Sequence, residues 1–213
     1  MSYIQNPVQI ITRTIVRPDQ QLAIDYPVVI GMANQAIQKK INSTILSLVN
    51  KLIKDQINQL INQGYKNPQV TVQGWYEIKT NERGILSLSI GNYTMAIPAA
   101  HGLTIIKSLT FDIHTGKVFP LSALFKTGSN YVEVISKNIQ QQIKAREIPL
   151  LGEFKAIRPD QDYYIADKAL VVYFQEYEIS PYYVGLPMFP ISVFDLQNII
   201  KDDGPLGRMA TND

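Results

Sequence analysis

The chain has 213 residues, of which 46% are hydrophobic, so it can bury a core, and this excludes disorder over its whole length. Its net charge is only +2, and its 20 basic residues are scattered, with Lys39-Lys40 as the one adjacent pair, which argues against nucleic-acid binding. The sequence has no cysteine and no apolar run of about 18 residues, so it predicts no disulfide, no thiolate metal site and no membrane span. Charged residues make up only 18%, and 17 Gln and 13 Asn supply much of the remaining polar surface.

The first elements predict a β-hairpin. Residues 8–17 are rich in β-branched side chains and partly alternate, which is typical of a strand. Pro18-Asp19 predicts a turn, and residues 22–30 predict a second strand. Because the connection between them is short, the two strands are expected to pair with each other.

A long helix is predicted next, because the hydrophobic period changes after residue 31. Apolar residues recur three to five positions apart, which places them on one stripe of a helix of about 29 residues. Asn34 is the expected N-cap, and Gly64 is the expected residue just beyond the helix end. We interpret the stripe as the face that packs on a β-sheet.

Three consecutive strands follow the helix and predict an antiparallel meander. They cover residues 70–79, 85–97 and 103–113, and the middle one alternates apolar and polar residues with a period of two. The turns are expected at 81–84 and 114–117, and in the second turn Gly116 is free to adopt a positive φ.

The last third of the chain predicts a second helix, another hairpin and a polar tail. In chain order, the predicted elements are a turn-like segment at 121–125, a helix at 130–146, strands at 162–165 and 169–177 that turn at Asp167-Lys168, a loop at 181–190, and a strand or short helix at 191–200. Residues 201–213 are polar and contain Gly204-Pro205, which predicts a disordered tail. We therefore expect a single α+β domain over 1–200, with one long helix and a second, shorter helix packed on an antiparallel sheet.

Candidate catalytic groups are few in this sequence. The two histidines, His101 and His114, could form a metal site with a carboxylate such as Asp112 only if the fold brought the strand ends together. Glu176 and Glu178 would share one face of the predicted strand, either as a catalytic carboxylate pair or as an exposed, solvated pair. No phosphate loop, dinucleotide fingerprint or nucleophile motif is present, so we predict no catalytic residue, no metal and no cofactor.

Aromatic residues are more informative, because they concentrate in the last third of the chain. Tyr182 and Tyr183 lie between Pro181 and Gly185, within a predicted loop, where tyrosine is typical of a recognition surface. The other candidate contact residues belong to the His101-Gly102 turn. The predicted binding residues are Tyr182, Tyr183, His101, Gly102, Pro181 and Gly185.

Several short motifs carry a resemblance to a known family. These are the Ala-His-Gly step at 100–102, the Phe-Asp-x-x-x-Gly run at 111–116 with the following Leu-x-x-Leu-Phe at 121–125, and the aromatic run at 173–185 that contains Tyr-x-Ile-x-Pro-Tyr and ends in Gly. The chain resembles, over about residues 8–200, the domain of unknown function shared by the extracellular region of the anti-sigma factor RsiV and the non-catalytic N-terminal region of the peptidoglycan deacetylase PdaC.

The resemblance implies a non-catalytic binding module of the Gram-positive cell envelope that recognises a protein, as RsiV-like members recognise lysozyme, or a cell-wall glycan. One alternative is a hydrolase or deacetylase acting on cell-wall glycan, and another is an intracellular or spore-associated structural protein. The resemblance implies an extracytoplasmic location. The first residues of the sequence, however, lack a basic segment followed by an apolar run and so predict no signal peptide, which keeps a cytoplasmic or spore-associated location as the alternative.

Overall fold

The computed structural model describes residues 8–17, 21–65, 69–97 and 99–211, which form an α+β fold with two sheets, as the sequence predicts in class. The elements in chain order are β1 (Gln9–Arg17), β2 (Leu22–Ile30), α1 (Gln35–Asn62), β3 (Val70–Glu82), β4 (Ile85–Ala96), β5 (Leu103–Asp112), β6 (Lys117–Val118), α2 (Tyr131–Ala145), β7 (Tyr163–Ala166), β8 (Ala169–Tyr173), β9 (Met188–Ser192) and α3 (Pro205–Ala210). Short 3₁₀ turns cover Leu121–Leu124 and Tyr182–Val184. Within these described ranges, no helix is long and apolar enough to cross a bilayer.

The larger sheet has six strands in the order β1-β2-β3-β4-β5-β6. The predicted hairpin of β1 and β2 and the meander of β3, β4 and β5 are both confirmed as antiparallel pairs, while the turn predicted at Pro18-Asp19 lies outside the described residues. β2 and β3 instead pair in parallel, with Leu22 opposite Val72. The reason is that α1 crosses over the sheet and returns the chain to the end where β2 began.

Helix α1 covers one face of this larger sheet. Its N-cap is Asn34, as predicted, and the Asn34 side chain accepts hydrogen bonds from the backbone N–H groups of Ala36 and Ile37. Gly64 follows the helix end at φ +96°, which also agrees with the prediction. The face turned to the sheet buries Ile41, Ile45, Val49, Leu52, Ile53 and Gln56. This stripe packs on apolar residues of β2, β3, β4 and β5 and forms the first hydrophobic core.

The smaller sheet, in the order β7-β8-β9, has its own helices and its own core. Helix α2 packs through Ile135 and Ile139, which are fully buried against residues of the three strands. The second helix therefore lies on a separate sheet, whereas the sequence predicted one sheet for both helices. The two sheets meet where Thr80 Oγ1 donates to the Ile165 carbonyl at 2.9 Å and the Ile165 N–H donates to Ser87 Oγ at 3.0 Å.

The predicted disordered tail is the largest difference between the sequence analysis and the structure. Residues 205–210 form α3, and both Leu206 and Met209 are fully buried in the core of the smaller sheet. Arg83 fixes this helix by donating from Nη1 to the Arg208 and Thr211 carbonyls at 2.7 and 2.8 Å. The segment is polar in overall composition, but it contains two large apolar residues, Leu206 and Met209, three positions apart. These two side chains complete the core of the smaller sheet.

Three further boundaries differ from the prediction. β3 continues to Glu82, so the turn is confined to Arg83-Gly84. β8 ends at Tyr173, and residues 176–178 form a turn instead of the predicted strand. β9 begins at Met188, inside the predicted loop, because its backbone completes the smaller sheet by pairing with β8.

Amide side chains replace missing backbone partners at three places, and we call Asn42, Asn81 and Gln175 the amide clamps. Asn42 accepts from the N–H of Val29 and donates to its carbonyl, both at 2.8 Å. Asn81 does the same with Val8 at 3.0 and 2.9 Å, and Gln175 with Ile106 at 3.1 and 2.7 Å. Each clamp satisfies both backbone groups of one residue, which lies in a strand (Val29 and Ile106) or directly before one (Val8), as a neighbouring strand would.

Candidate functional site

An aromatic ledge forms where the loop after β8 meets the start of β5, and we define it as His101, Tyr177, Tyr182 and Tyr183. The rings of His101 and Tyr182 stack with centroids 4.4 Å apart, and those of Tyr177 and Tyr182 stack at 5.6 Å. Tyr183 is the next residue along the chain and is 77% exposed. The fold thus brings Tyr182 against His101, two residues that the sequence placed in separate candidate segments.

The backbone of the ledge is strained at Tyr177. This residue is 47% exposed and has φ +64°, in the left-handed region that bulky side chains rarely adopt. Such a conformation costs on the order of 1–3 kcal/mol and persists only where the surrounding structure enforces it. Here Gln175 and Glu176, just before it, are tied to the edge of β5, so the chain must turn sharply and present Tyr177 outward.

Pro181 and Gly185 frame the short 3₁₀ turn that carries Tyr182 and Tyr183. Pro181 precedes the turn at φ −61°, and Gly185 follows it at φ +75°. Desolvation and the nearby Glu176 carboxylate raise the pKa of Tyr182 above its ordinary 10.0. The phenol is protonated near neutral pH with or without this shift, so it can donate a hydrogen bond. Both predicted framing residues therefore shape the turn, and whether they contact a ligand remains a prediction.

Gly102 connects the ledge to β4 by close packing. Its N–H donates to the Tyr93 hydroxyl at 3.1 Å, and a Cβ at this position would lie only 2.4 Å from Cζ of the Tyr93 ring. Gly102 does not have a positive φ, so glycine is required here for space. Gly116 has φ +63°, the positive φ that the sequence predicts for it.

We expect Gly102→Ala to lower the free energy of unfolding by about 1–3 kcal/mol, because the Tyr93 ring or the backbone must move away from the new methyl group. Gly152→Ala is the matched control, since a Cβ there would meet no atom within 4 Å and the backbone φ of Gly152 is not positive. Urea unfolding of both variants measures the effect. Equal stability of the two variants would contradict the tight packing of Gly102 on Tyr93.

A cleft of about 280 Å³ opens beside the ledge, between the C-terminal part of α1 and the adjoining ends of β4 and β5. Its lining consists of Gln56, Gln59, Leu60, Gln63, Tyr65, Thr94, Ala96, Ala99, Ala100, His101, Gly102, Leu103 and Tyr177. Among these described residues there is no Asp, Glu, Lys or Arg. The cleft is therefore formed by amides, small apolar groups and aromatic rings, and its volume lies just below the range typical of ligand sites, about 300–1,000 Å³.

The inner part of the cleft contains buried polar groups that lack partners. Gln56 is 2% exposed, and its amide nitrogen donates to the Asn92 and Leu103 carbonyls at 3.2 and 3.3 Å. Its Oε1 accepts no hydrogen bond within the described part of the chain, and the same holds for the hydroxyl of Thr94, which is 3% exposed. An unsatisfied buried group costs about 1–3 kcal/mol, so this arrangement needs an explanation.

Glu176 and Glu178 do not form the carboxylate pair that the alternative enzyme hypothesis required. They lie in a turn and not on one strand face, because the chain leaves β8 at Tyr173. Glu176 accepts from the N–H of Thr104 at 3.0 Å, and Glu178 accepts from Arg158 and from the N–H of Gln175. The two carboxylates therefore fix the loop on the body of the protein.

His101 and His114 cannot share a metal ion. His101 precedes β5 and His114 follows it, so the 10 residues of this strand, about 30 Å in length, lie between them. Asp112 instead accepts hydrogen bonds from the N–H groups of His114 and Thr115 and pairs with Arg208. No cluster of three potential ligands occurs within residues 8–17, 21–65, 69–97 and 99–211.

Sequence reasoning missed the contribution of α1 and β4 to this region. Gln56 follows Val49, Leu52 and Ile53 on the buried face, and an amide continuing an apolar stripe is the signal that could have identified it. Thr94 and Tyr93 carried no such signal, because a threonine or tyrosine in a strand is ordinary.

Comparisons with known proteins agree with this architecture. The family model described as "Deacetylase PdaC" matches residues 19–104, and the one described as "Protein of unknown function (DUF3298)" matches residues 122–193. The anti-sigma-V factor RsiV of Bacillus subtilis is 30% identical over 196 residues, covering 86% of this chain and 67% of that protein.

Two solved structures share the fold over nearly the whole chain. A DUF3298 family member from Bacteroides fragilis has a TM-score of 0.67 at 13% identity and covers 98% of both chains. A DUF3298 family protein from Pseudomonas aeruginosa has a TM-score of 0.68 at 12% identity and covers 98% of this chain and 99% of its own. The predicted resemblance is thus confirmed, and the chain belongs to the family of RsiV, with a PdaC-type first half and a DUF3298 second half.

Proposed function

We propose that this protein is a non-catalytic binding module of the bacterial cell envelope, and that the aromatic ledge and the adjoining cleft contact its ligand. The observation that carries this proposal is the ledge itself. Tyr183 and Tyr177 are exposed, His101 and Tyr182 are stacked, and the backbone is strained to hold Tyr177 in place. Exposure of aromatic rings to water is unfavourable and contributes nothing to the core. That these rings are nevertheless held in fixed positions supports a recognition role.

The relationship to RsiV supports a role without catalysis. The curated relative is named an anti-sigma factor, which is not an enzyme name, and one matching family model carries the name of a deacetylase. In this chain the two candidate carboxylates hold the loop in place, and the two histidines lie at opposite ends of β5. These contacts favour a binding role over hydrolysis, with an envelope protein or cell-wall glycan as the ligand.

We expect Tyr182→Ala combined with Tyr183→Ala to reduce ligand capture at least tenfold, because two aromatic contacts of hot-spot quality are lost. The melting temperature is expected to change little, since Tyr183 is 77% exposed and Tyr182 is only half-buried. Immobilised protein is tested against lysozyme and against purified peptidoglycan sacculi, which represent the two ligand classes.

Phe194→Ala serves as the matched control, because it removes a 40% exposed ring outside the ledge. The control is expected to retain capture at the wild-type level. A wild-type protein that captures neither probe, or a double variant that captures as well as wild type, would contradict the proposal. A large loss of stability in the double variant would show that the loop belongs to the core.

A further inference from the structure

Strand β1 is an edge strand of the larger sheet. It pairs with β2 through nine consecutive residue pairs without a register shift, and no other strand of the described ranges lies beside it. Seven of its nine residues are exposed, and they include Ile11 at 40% and Val16 at 60%. Proteins commonly protect such an edge with a bulge, a proline, charged residues or a very short strand. β1 is long and regular, it contains no proline, and its only charges are two arginines.

The amide clamp at Val29 shows which backbone groups of β1 point outward. Asn42 binds both the N–H and the carbonyl of Val29, so these two groups point away from β1. Val29 lies opposite Ile10, and in an antiparallel pair two opposite residues either bond to each other or both point away. The N–H and carbonyl groups therefore point away from β2 at every second residue of β1, namely Ile10, Thr12, Thr14 and Val16.

These outward groups form a row that one more strand could pair with. At Val8, the preceding residue of the same phase, both backbone groups bind the Asn81 side chain, which takes the place of a neighbouring strand. The backbone groups of the next four such residues make no hydrogen bond to any other part of the chain that the structure describes. An added strand would therefore gain main-chain hydrogen bonds along its length.

The charge of β1 indicates which strand this edge selects. Arg13 and Arg17 are exposed, and neither has an ion-pair partner among residues 8–17, 21–65, 69–97 and 99–211. They lie on one face of the strand, four residues and about 13 Å apart. β1 contains no acidic residue, so carboxylates at the same spacing in a partner strand would neutralise both arginines.

A second copy of this chain fits the edge less well. Two β1 strands that pair about a two-fold axis would place all four arginines on one face of a continuous sheet, and neither strand contains a carboxylate. Like charges in neighbouring cross-strand positions are destabilising. Arg13 and Arg17 therefore disfavour self-pairing and favour an acidic partner.

We propose that the outer edge of β1 binds an extended acidic segment of a partner protein as an additional strand of the larger sheet. Main-chain hydrogen bonds hold the segment, and Arg13 and Arg17 select carboxylates spaced by four residues. Ile11 and Val16 lie on opposite faces of β1, so each contacts an apolar side chain of the added strand. Three strands separate β1 from β5, so this site is distinct from the aromatic ledge and goes beyond the proposed function.

Fluorescence anisotropy with labelled peptides and the full chain tests the inference. The probe is the heptapeptide Thr-Glu-Val-Thr-Val-Glu-Thr. One control peptide has lysine at both glutamate positions, and the other has proline at both valine positions, which keeps the charge but prevents strand pairing. The probe is expected to bind about tenfold more tightly than either control, because the first control is repelled by the arginines and the second lacks backbone donors.

Variants of the protein separate the backbone contribution from the charge. Val16→Pro removes one outward N–H and keeps the pairing with β2, so it is expected to weaken probe binding about tenfold at a nearly unchanged melting temperature. Arg13→Glu combined with Arg17→Glu is expected to reverse the preference in favour of the lysine peptide. Lys39→Glu combined with Lys54→Glu is the matched control, because it makes the same change in net charge at two exposed lysines of α1.

Equal binding of the three peptides, or no binding of any of them, overturns the inference. An unaltered preference in the arginine variant also overturns it, and this variant keeps the test decisive if Val16→Pro fails to fold, because it changes only exposed side chains. A folded Val16→Pro that binds the probe like wild type excludes strand addition. A wild-type dimer, detected by light scattering and lost in Val16→Pro, would assign the edge to a second copy and overturn the acidic partner.

Discussion

Leu206→Ala combined with Met209→Ala is expected to unfold much of the protein at room temperature, although both residues lie in a segment whose composition predicts disorder. Each side chain is fully buried in the core of the smaller sheet. Truncating a buried Leu or Met to Ala costs about 2–5 kcal/mol, so the pair costs about 4–10 kcal/mol if the two effects add. Since a typical domain has only about 5–15 kcal/mol of stability, most of it is lost.

Circular dichroism and urea unfolding measure this effect. Leu151→Ala is the control, because Leu151 is 58% exposed and its loss should change the free energy of unfolding by less than about 0.5 kcal/mol. Leu206→Ala alone is expected to fall between the control and the double variant. If the double variant were as stable as the control, α3 would not belong to the core.

Asp112→Ala is expected to lower the free energy of unfolding by about 2–4 kcal/mol, because it removes several hydrogen bonds and leaves Arg208 without its carboxylate. Asp112 Oδ1 accepts from the N–H groups of His114 and Thr115 at 2.9 and 3.0 Å, and Oδ2 lies 3.2 Å from the Arg208 guanidinium. The side chain of Asp112 is only 9% exposed, so solvent replaces these contacts poorly. The loss is measured by urea unfolding near neutral pH.

The pH dependence of the same variant identifies the charge as the cause. Burial raises the pKa of Asp112, but Arg208 and the hydrogen bonds from Thr115 and His114 outweigh it, so the folded-state pKa lies below the ordinary 3.8. A carboxylate whose pKa is lowered by folding contributes its full stabilisation when the pH is above its pKa in the unfolded chain. The contribution is lost as the pH falls through its pKa in the folded protein. The stability difference between wild type and Asp112→Ala is therefore expected to shrink below about pH 4. A difference that stays constant on acidification would show that the carboxylate charge contributes nothing.

The spacing at which apolar residues recur along the sequence predicted most helices and strands of this fold, because this spacing depends only on residues that are close together in the chain. The stripe that begins at Ile37 defined α1, and the alternation around Leu86 and Leu88 defined β4. The parallel pairing of β2 with β3 depends on how α1 crosses the sheet, which no local pattern records. α3 was missed because Leu206 and Met209 are the only large apolar residues of a polar terminal segment, and their burial depends on the distant smaller sheet.

The candidate site was predicted in part. Residue type and loop position predicted Tyr182, Tyr183 and His101 as contact residues, which stays a prediction, and the structure places Tyr182 on His101. The strand prediction through Tyr177 was wrong because Gln175 and Glu176 use their side chains to cover the edge of β5, which draws the chain out of the smaller sheet. The place of Thr94 in the cleft could not be predicted, since it requires knowledge that α1 and β4 face each other.

The amide clamps have a consequence for how strand edges of this fold respond to ionic strength. Edges of sheets are commonly protected by lysine and other charged residues, whose interactions weaken as salt screens them. Asn42, Asn81 and Gln175 hold Val29, Val8 and Ile106 with uncharged groups that both donate and accept. Salt does not screen the bonds between these amides and the backbone, so we expect the segments that they hold to respond less to ionic strength than segments that ion pairs hold.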